Sequence, residues 1–212
     1  MTRTVALPIV LGLLGWTVPS FAQGNPGNIT AENVEIIPFA GYRTGGGLSG
    51  DVQGVAREFG IDGSASYGGA IDFNLHQGNF KIEALYSRQT SKIDSAGLLV
   101  PNGVPLHVEY LQAGVLQETG TERGRFYISV LLGATRFDPE GFDSATKFSA
   151  SIGGGLKLFP SSHIGLRFDA RAFLTFVNGE TGGVCAGGTC LFVYSGSHLW
   201  QGDFTGGLIL AF

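Results

Sequence analysis

The chain has 212 residues, with 13 Lys plus Arg against 17 Asp plus Glu and no basic run, which excludes the electrostatic footprint of a nucleic-acid binder. Its 35 glycines are spread through apolar segments and outnumber 8 prolines, which disfavours helices almost everywhere. Only two cysteines occur, Cys185 and Cys190, too few ligands for a metal centre, and no cofactor is expected.

Residues 1–22 read as a signal peptide: Arg3 is the positive start, Val5 to Val18 is apolar, and Ser20-Phe21-Ala22 is a small-x-small cleavage site. A spanning helix needs about 20 apolar residues, and this run is shorter and broken by Pro8. Residues 23–212 are then a single domain in a chain that leaves the cytoplasm.

From Asn33 onward the pattern has period two, the signature of strands. Eight segments are expected near 33–44, 63–76, 79–91, 104–117, 124–137, 143–159, 163–177 and 197–212. In the second, Tyr67, Ile71 and Phe73 alternate with Ser66, Asp72 and Asn74; in the third, Phe80, Ile82 and Tyr86 alternate with Lys81, Glu83 and Ser87. The fourth is ambiguous, because Val108 and Tyr110 suggest one outward face and Leu111, Ala113 and Val115 the other, so a bulge or a change of phase is expected there. In the sixth, Phe148, Ile152 and Leu156 alternate with Lys147, Ser149 and Lys157; in the seventh, Ile164, Leu166 and Phe168 alternate with Arg167, Asp169 and Arg171. The eighth sets Trp200, Phe204, Leu208, Leu210 and Phe212 against Gln201, Asp203 and Thr205.

Tight connections at 76–79, 118–124 and 160–162 alternate with long ones at 45–62, 92–103 and 178–196 and an intermediate one near 138–142, and a hairpin extension is expected at 189–196. Short turns on one side and long loops on the other, with an even strand number, suit an outer-membrane barrel. Alternation alone does not say which face is inside, since a soluble barrel would reverse it. The last strand decides: Gly207, Leu210 and Phe212 supply the small, apolar and aromatic positions of a C-terminal assembly signal, although Gly206 stands at its polar position. The expected fold is all-β, an eight-stranded antiparallel transmembrane β-barrel of the outer-membrane type.

Several stretches carry a family likeness: Ile36-Ile37-Pro38-Phe39-Ala40-Gly41-Tyr42-Arg43, Glu83-Ala84-Leu85-Tyr86-Ser87-Arg88-Gln89, Val108-Glu109-Tyr110-Leu111, Gly133-Ala134-Thr135-Arg136-Phe137-Asp138-Pro139 and Gly153-Gly154-Gly155-Leu156-Lys157-Leu158-Phe159. Through them the chain resembles the small OmpA-like outer-membrane β-barrel domain proteins of Gram-negative bacteria. The resemblance implies a barrel with no established reaction. Outer-membrane lipids, lipopolysaccharide and the barrel assembly machinery are the expected partners.

The polar face places Asp72, Lys81, Glu83, Arg125, Lys157, Arg167, Asp169, Arg171 and Asp203 in the lumen, where mixed signs point to a network of charge-assisted hydrogen bonds in place of an apolar core. A structural or surface-interaction role with a plugged lumen is expected; the alternatives are a small pore, a transporter of hydrophobic molecules, and a lipid-modifying enzyme. For the enzyme, His107, Glu109 and Ser197-His198 near the outer rim are the candidate groups, read as solvated surface rather than catalytic residues, while His76 and His163 fall at turns. Cys185-Ala-Gly-Gly-Thr-Cys190 is expected to form a disulfide that shapes the last loop. Tyr42, Tyr67, Tyr86, Tyr110, Phe137 and Trp200 are expected in interfacial girdles.

Overall fold

In a computed structural model the described residues are 33–52, 55–75, 79–94, 104–141, 143–177, 182–186, 189–194 and 198–212, and within 47–60, 93–94, 104 and 182–194 the description stops at the backbone. The expected signal peptide lies outside these residues.

The strands are β1 (Val34–Arg43), β2 (Gly46–Val52), β3 (Val55–Ile61), β4 (Ser64–Asn74), β5 (Phe80–Asp94), β6 (Val104–Gly120), β7 (Gly124–Pro139), β8 (Ala145–Leu158), β9 (Ile164–Phe176), β10 (Gly182–Ala186), β11 (Thr189–Tyr194) and β12 (His198–Ala211). Eight of them close a ring of antiparallel neighbours in the order β1-β4-β5-β6-β7-β8-β9-β12 and back to β1. At the seam, Val34 donates to the carbonyl of Phe212 (3.2 Å) and Phe212 to that of Val34 (3.0 Å). Closure leaves the ring without an edge, as lipid demands of any spanning sheet.

The segment 45–62, expected as a loop, contains the hairpin β2–β3, and 178–196, where a hairpin extension was expected at 189–196, contains β10–β11. Strand β11 pairs with β2, and β3 continues onto β5 through Ile61 opposite Ile93, so the sheet extends past the rim. The sequence Gly46-Gly-Leu-Ser-Gly-Asp-Val52 is glycine-rich with only Leu48 and Val52 as large apolar residues, too few to mark a crossing strand, and a strand beyond the bilayer needs no lipid face. At the other end the turns are short, and Gly120 supplies a φ of 141° where β6 bends toward β7.

Facing follows the pleat. Large apolar side chains point outward and are exposed on all eight barrel strands, among them Ile36, Phe73, Ile82, Leu111, Ile128, Ile152, Phe168 and Phe204. Soluble monomers rarely expose an apolar surface that runs around the whole molecule in this way. Among the described residues no helix is long and apolar enough to cross a membrane, and here strands do so.

Strand β6 runs through to Gly120 in one phase, without a bulge: Leu106, Val108, Tyr110 and Gln112 are buried inside and Leu111 and Val115 are exposed outside. Tyr110, at 0% exposure, is therefore a lumen residue and not part of a girdle. Phe137 likewise turns inward and packs on the buried apolar cluster, whereas Tyr42, Tyr67, Tyr86 and Trp200 face outward. Val108 and Tyr110 misled because an apolar residue in a barrel this narrow can fill the lumen as well as face lipid.

Candidate functional site

Six cations and six anions are buried in the lumen among the described residues: Arg43, Lys81, Arg125, Lys157, Arg167 and Arg171 with Glu35, Asp72, Glu83, Glu118, Asp169 and Asp203. Each sits on an inward position of its strand, so the pleat alone aims it. Their pairing falls into three clusters along the barrel.

At the turn end Lys157 is the hub. Its Nζ donates to Glu35 (2.6 Å), Asp72 (2.7 Å) and Glu118 (2.5 Å), carboxylates from three different strands. Lys81 pairs with Glu35 and lies 3.2 Å from Glu118, and Arg125 stands at 3.5 Å from Glu118 over the ring of Phe159. The three carboxylates each bring an oxygen within 4.8 Å of the others, a spacing that would suit a cation, and the Lys157 ammonium is the cation found there.

In the middle, Glu83 accepts from two arginines at once, Arg167 (2.8 Å) and Arg171 (2.7 Å). Arg167 also donates from Nε to the Tyr127 hydroxyl (2.7 Å), which in turn donates to Asp169. Arg171 reaches Ser129 (3.0 Å), and its guanidinium lies where a Cβ on Gly153 would be only 2.9 Å from Cζ, so the wall is bare at that point to admit it. Toward the loop end, Arg43 donates to Asp203 (2.6 Å) and to Ser87, and Ser66 donates to the second oxygen of Asp203 (2.7 Å). The Arg43 guanidinium also stacks over Tyr110 (4.8 Å) and Phe173 (4.7 Å), a desolvated cation–π setting. Tyr110 donates to Gln201 (2.8 Å), and Gln201 to Gln89 (3.2 Å). Beyond them Ile61, Leu106, Val108, Val177 and Leu199 are buried at the loop-side ends of their strands.

All nine lumen residues named from the sequence lie inside this arrangement, and three further partners were not foreseen. Glu35 alternates with Ile36 and was legible in β1; Arg43 stands at the last position of that strand; Glu118 was assigned to a turn that in fact begins after Gly120.

The other candidates are scattered. His107 on β6 bonds Thr90 (3.1 Å), and His198 is exposed on β12, a strand diametrically opposite in the ring, so the two cannot share a substrate. Glu109 pairs with Tyr86 (3.1 Å) on the outer wall. His163 bonds its neighbour Ser162, while Ser197 and His76 lie outside the described residues. The backbone sets Cys185 opposite Cys190 across β10–β11, but their side chains also lie outside the description. Leu210 on the last strand and Phe212 immediately after it face outward, and Gly207 pairs with Phe39 of β1.

A closed eight-stranded ring, apolar outside on every strand and ion-paired within, is a transmembrane β-barrel of the outer-membrane type. No family model matches the chain, and no curated protein does. Among solved structures it is similar to the outer membrane protein OprG from Pseudomonas aeruginosa (TM-score 0.56, 12% identity, covering 86% of this chain and 98% of that one). It is also similar to Neisserial surface protein A (0.53, 11%, 85% and 97%) and to the outer membrane protease OmpT from Escherichia coli (0.50, 10%, 86% and 98%). At such identities the likeness shows the fold, which hosts proteins of different activity.

Proposed function

We propose that this barrel serves as a structural or surface-interaction protein of the outer membrane, with its lumen closed by the charge network. The observation that carries the reading is Lys157, fully buried and held by carboxylates from β1, β4 and β6. The pairing of these buried cations and anions with one another across the lumen supports it, because the paired side chains occupy the space a water path would need. So does the space beside Arg167, Asp169 and Arg171, about 10 Å³, which is the size of a single water site. Hairpins beyond the rim offer a surface for contact, and one of the similar barrels is named a surface protein. No catalytic role is assigned to His107 or His198, which lie on opposite walls.

The test is conductance of the exported protein in planar bilayers. A baseline without discrete steps is expected. Stable ohmic steps would overturn the closed lumen and favour the pore.

A further inference from the structure

The outer wall is apolar around its circumference except on one side. Among the residues whose side chains are described, every Lys, Arg, Asp and Glu on the outward face of a barrel strand belongs to β5, β6 or β7: Arg88, Lys92, Glu109, Arg136 and Asp138. The outward faces of β1, β4, β8, β9 and β12 carry none. A charge turned toward lipid is costly in the hydrocarbon, so these groups must sit at headgroup level.

Register places them there. Arg88 is opposite Glu109, and Glu109 is opposite Arg136, so the three form one row across adjacent strands. Arg88 also neighbours Tyr67, and Tyr86 lies two residues nearer the turns on the same face, both exposed as interfacial aromatics are. One step nearer the loops, Thr90, His107 and Asp138 form the next row, with Lys92 beyond. The ion pair in the first row is loose, with Arg88 Nη1 at 3.6 Å from Glu109 and both side chains partly open, and Arg88 Nε has no hydrogen-bond partner.

We infer that this row is a binding site for the phosphates of an outer-leaflet lipid. Guanidinium is the group suited to phosphate, through a two-pronged hydrogen bond. Arg88 and Arg136 flank β6, so they are spaced by two strand separations, about 10 Å, enough to hold two phosphates of one headgroup or of adjacent lipids. Glu109 between them keeps the pair of arginines apart in charge and leaves the outer prongs free for the ligand. The inference rests on the barrel lying in an outer membrane but not on whether its lumen is closed.

The test is retention of lipopolysaccharide by the exported, detergent-extracted protein in native mass spectrometry, before and after the lipopolysaccharide is stripped of phosphate. Wild type is expected to retain the phosphorylated form preferentially, and the Arg88→Gln/Arg136→Gln protein to retain it about tenfold less or weaker still, with heat-modifiable gel mobility unchanged. The single Arg136→Gln protein provides the same reading if the double variant fails to fold, and Glu109→Gln should retain the phosphorylated form more tightly. Equal retention by wild type and the arginine variants, or a loss that persists with the dephosphorylated form, would overturn the site. A protein that enters no membrane at all would instead remove the outer-membrane reading beneath it.

Discussion

Lys157 on β8 grips Asp72 on β4 across the full width of the barrel, Nζ to Oδ2 at 2.7 Å, with both side chains fully buried. The two strands are diametrically opposite in the ring, so the bond spans the lumen rather than running along its wall. Removing one member of a buried pair leaves the other charge without compensation, which costs about 3–5 kcal/mol. Lys157→Met is therefore expected to lower stability by about that amount, read from urea unfolding in lipid vesicles. Asp72 then keeps only the more distant Arg167 (3.6 Å), whereas Glu35 and Glu118 keep Lys81 and Arg125, so Lys157→Met/Asp72→Leu should lose less than the two single variants summed. Additive losses would show that the two residues do not act on each other.

Neighbours in sequence on β9 face opposite media, and the comparison between them tests the facing. Phe168→Arg puts a cation on the lipid face and should cost about 2–4 kcal/mol at mid-strand. Arg167→Leu is expected to cost at least as much, because it leaves Glu83, Asp169 and the Tyr127 hydroxyl with a partner missing. Unimpaired folding of the Phe168→Arg protein into vesicles would mean that the outward face does not meet lipid.

The backbone register of the β10–β11 hairpin sets Cys185 directly opposite Cys190, a placement in which a disulfide can bridge two strands. The exported protein is expected to show no thiol until it is reduced. Labelling of both cysteines without reductant would disprove the bond.

Alternation reveals a residue's side of the wall only where the chain stays in one pleat and the residues are decisive. Asp72, Lys81, Glu83, Lys157 and Arg167 were legible for that reason, being charged residues between apolar neighbours. Tyr110 was not, since an aromatic side chain satisfies lipid and a narrow lumen alike. Glu118 was missed because the strand continues to Gly120, past the point where its apolar pattern stops at Leu116. The β2–β3 hairpin was missed because outside the bilayer nothing forces one face of a strand to be apolar.

The sequence by itself determined the class of fold, the eight crossing strands and the polarity of their two faces, because a period of two in a lipid-spanning strand is imposed locally by the pleat. Only the tertiary structure decided which charges meet. Glu35, Asp72 and Glu118 converge on Lys157 from separations of 122, 85 and 39 residues, and nothing along the chain encodes that convergence. It follows from closing the ring with a particular stagger between neighbouring strands, a property of all eight pairings at once. The same closure gathered Arg88, Glu109 and Arg136 into one row on the outer wall.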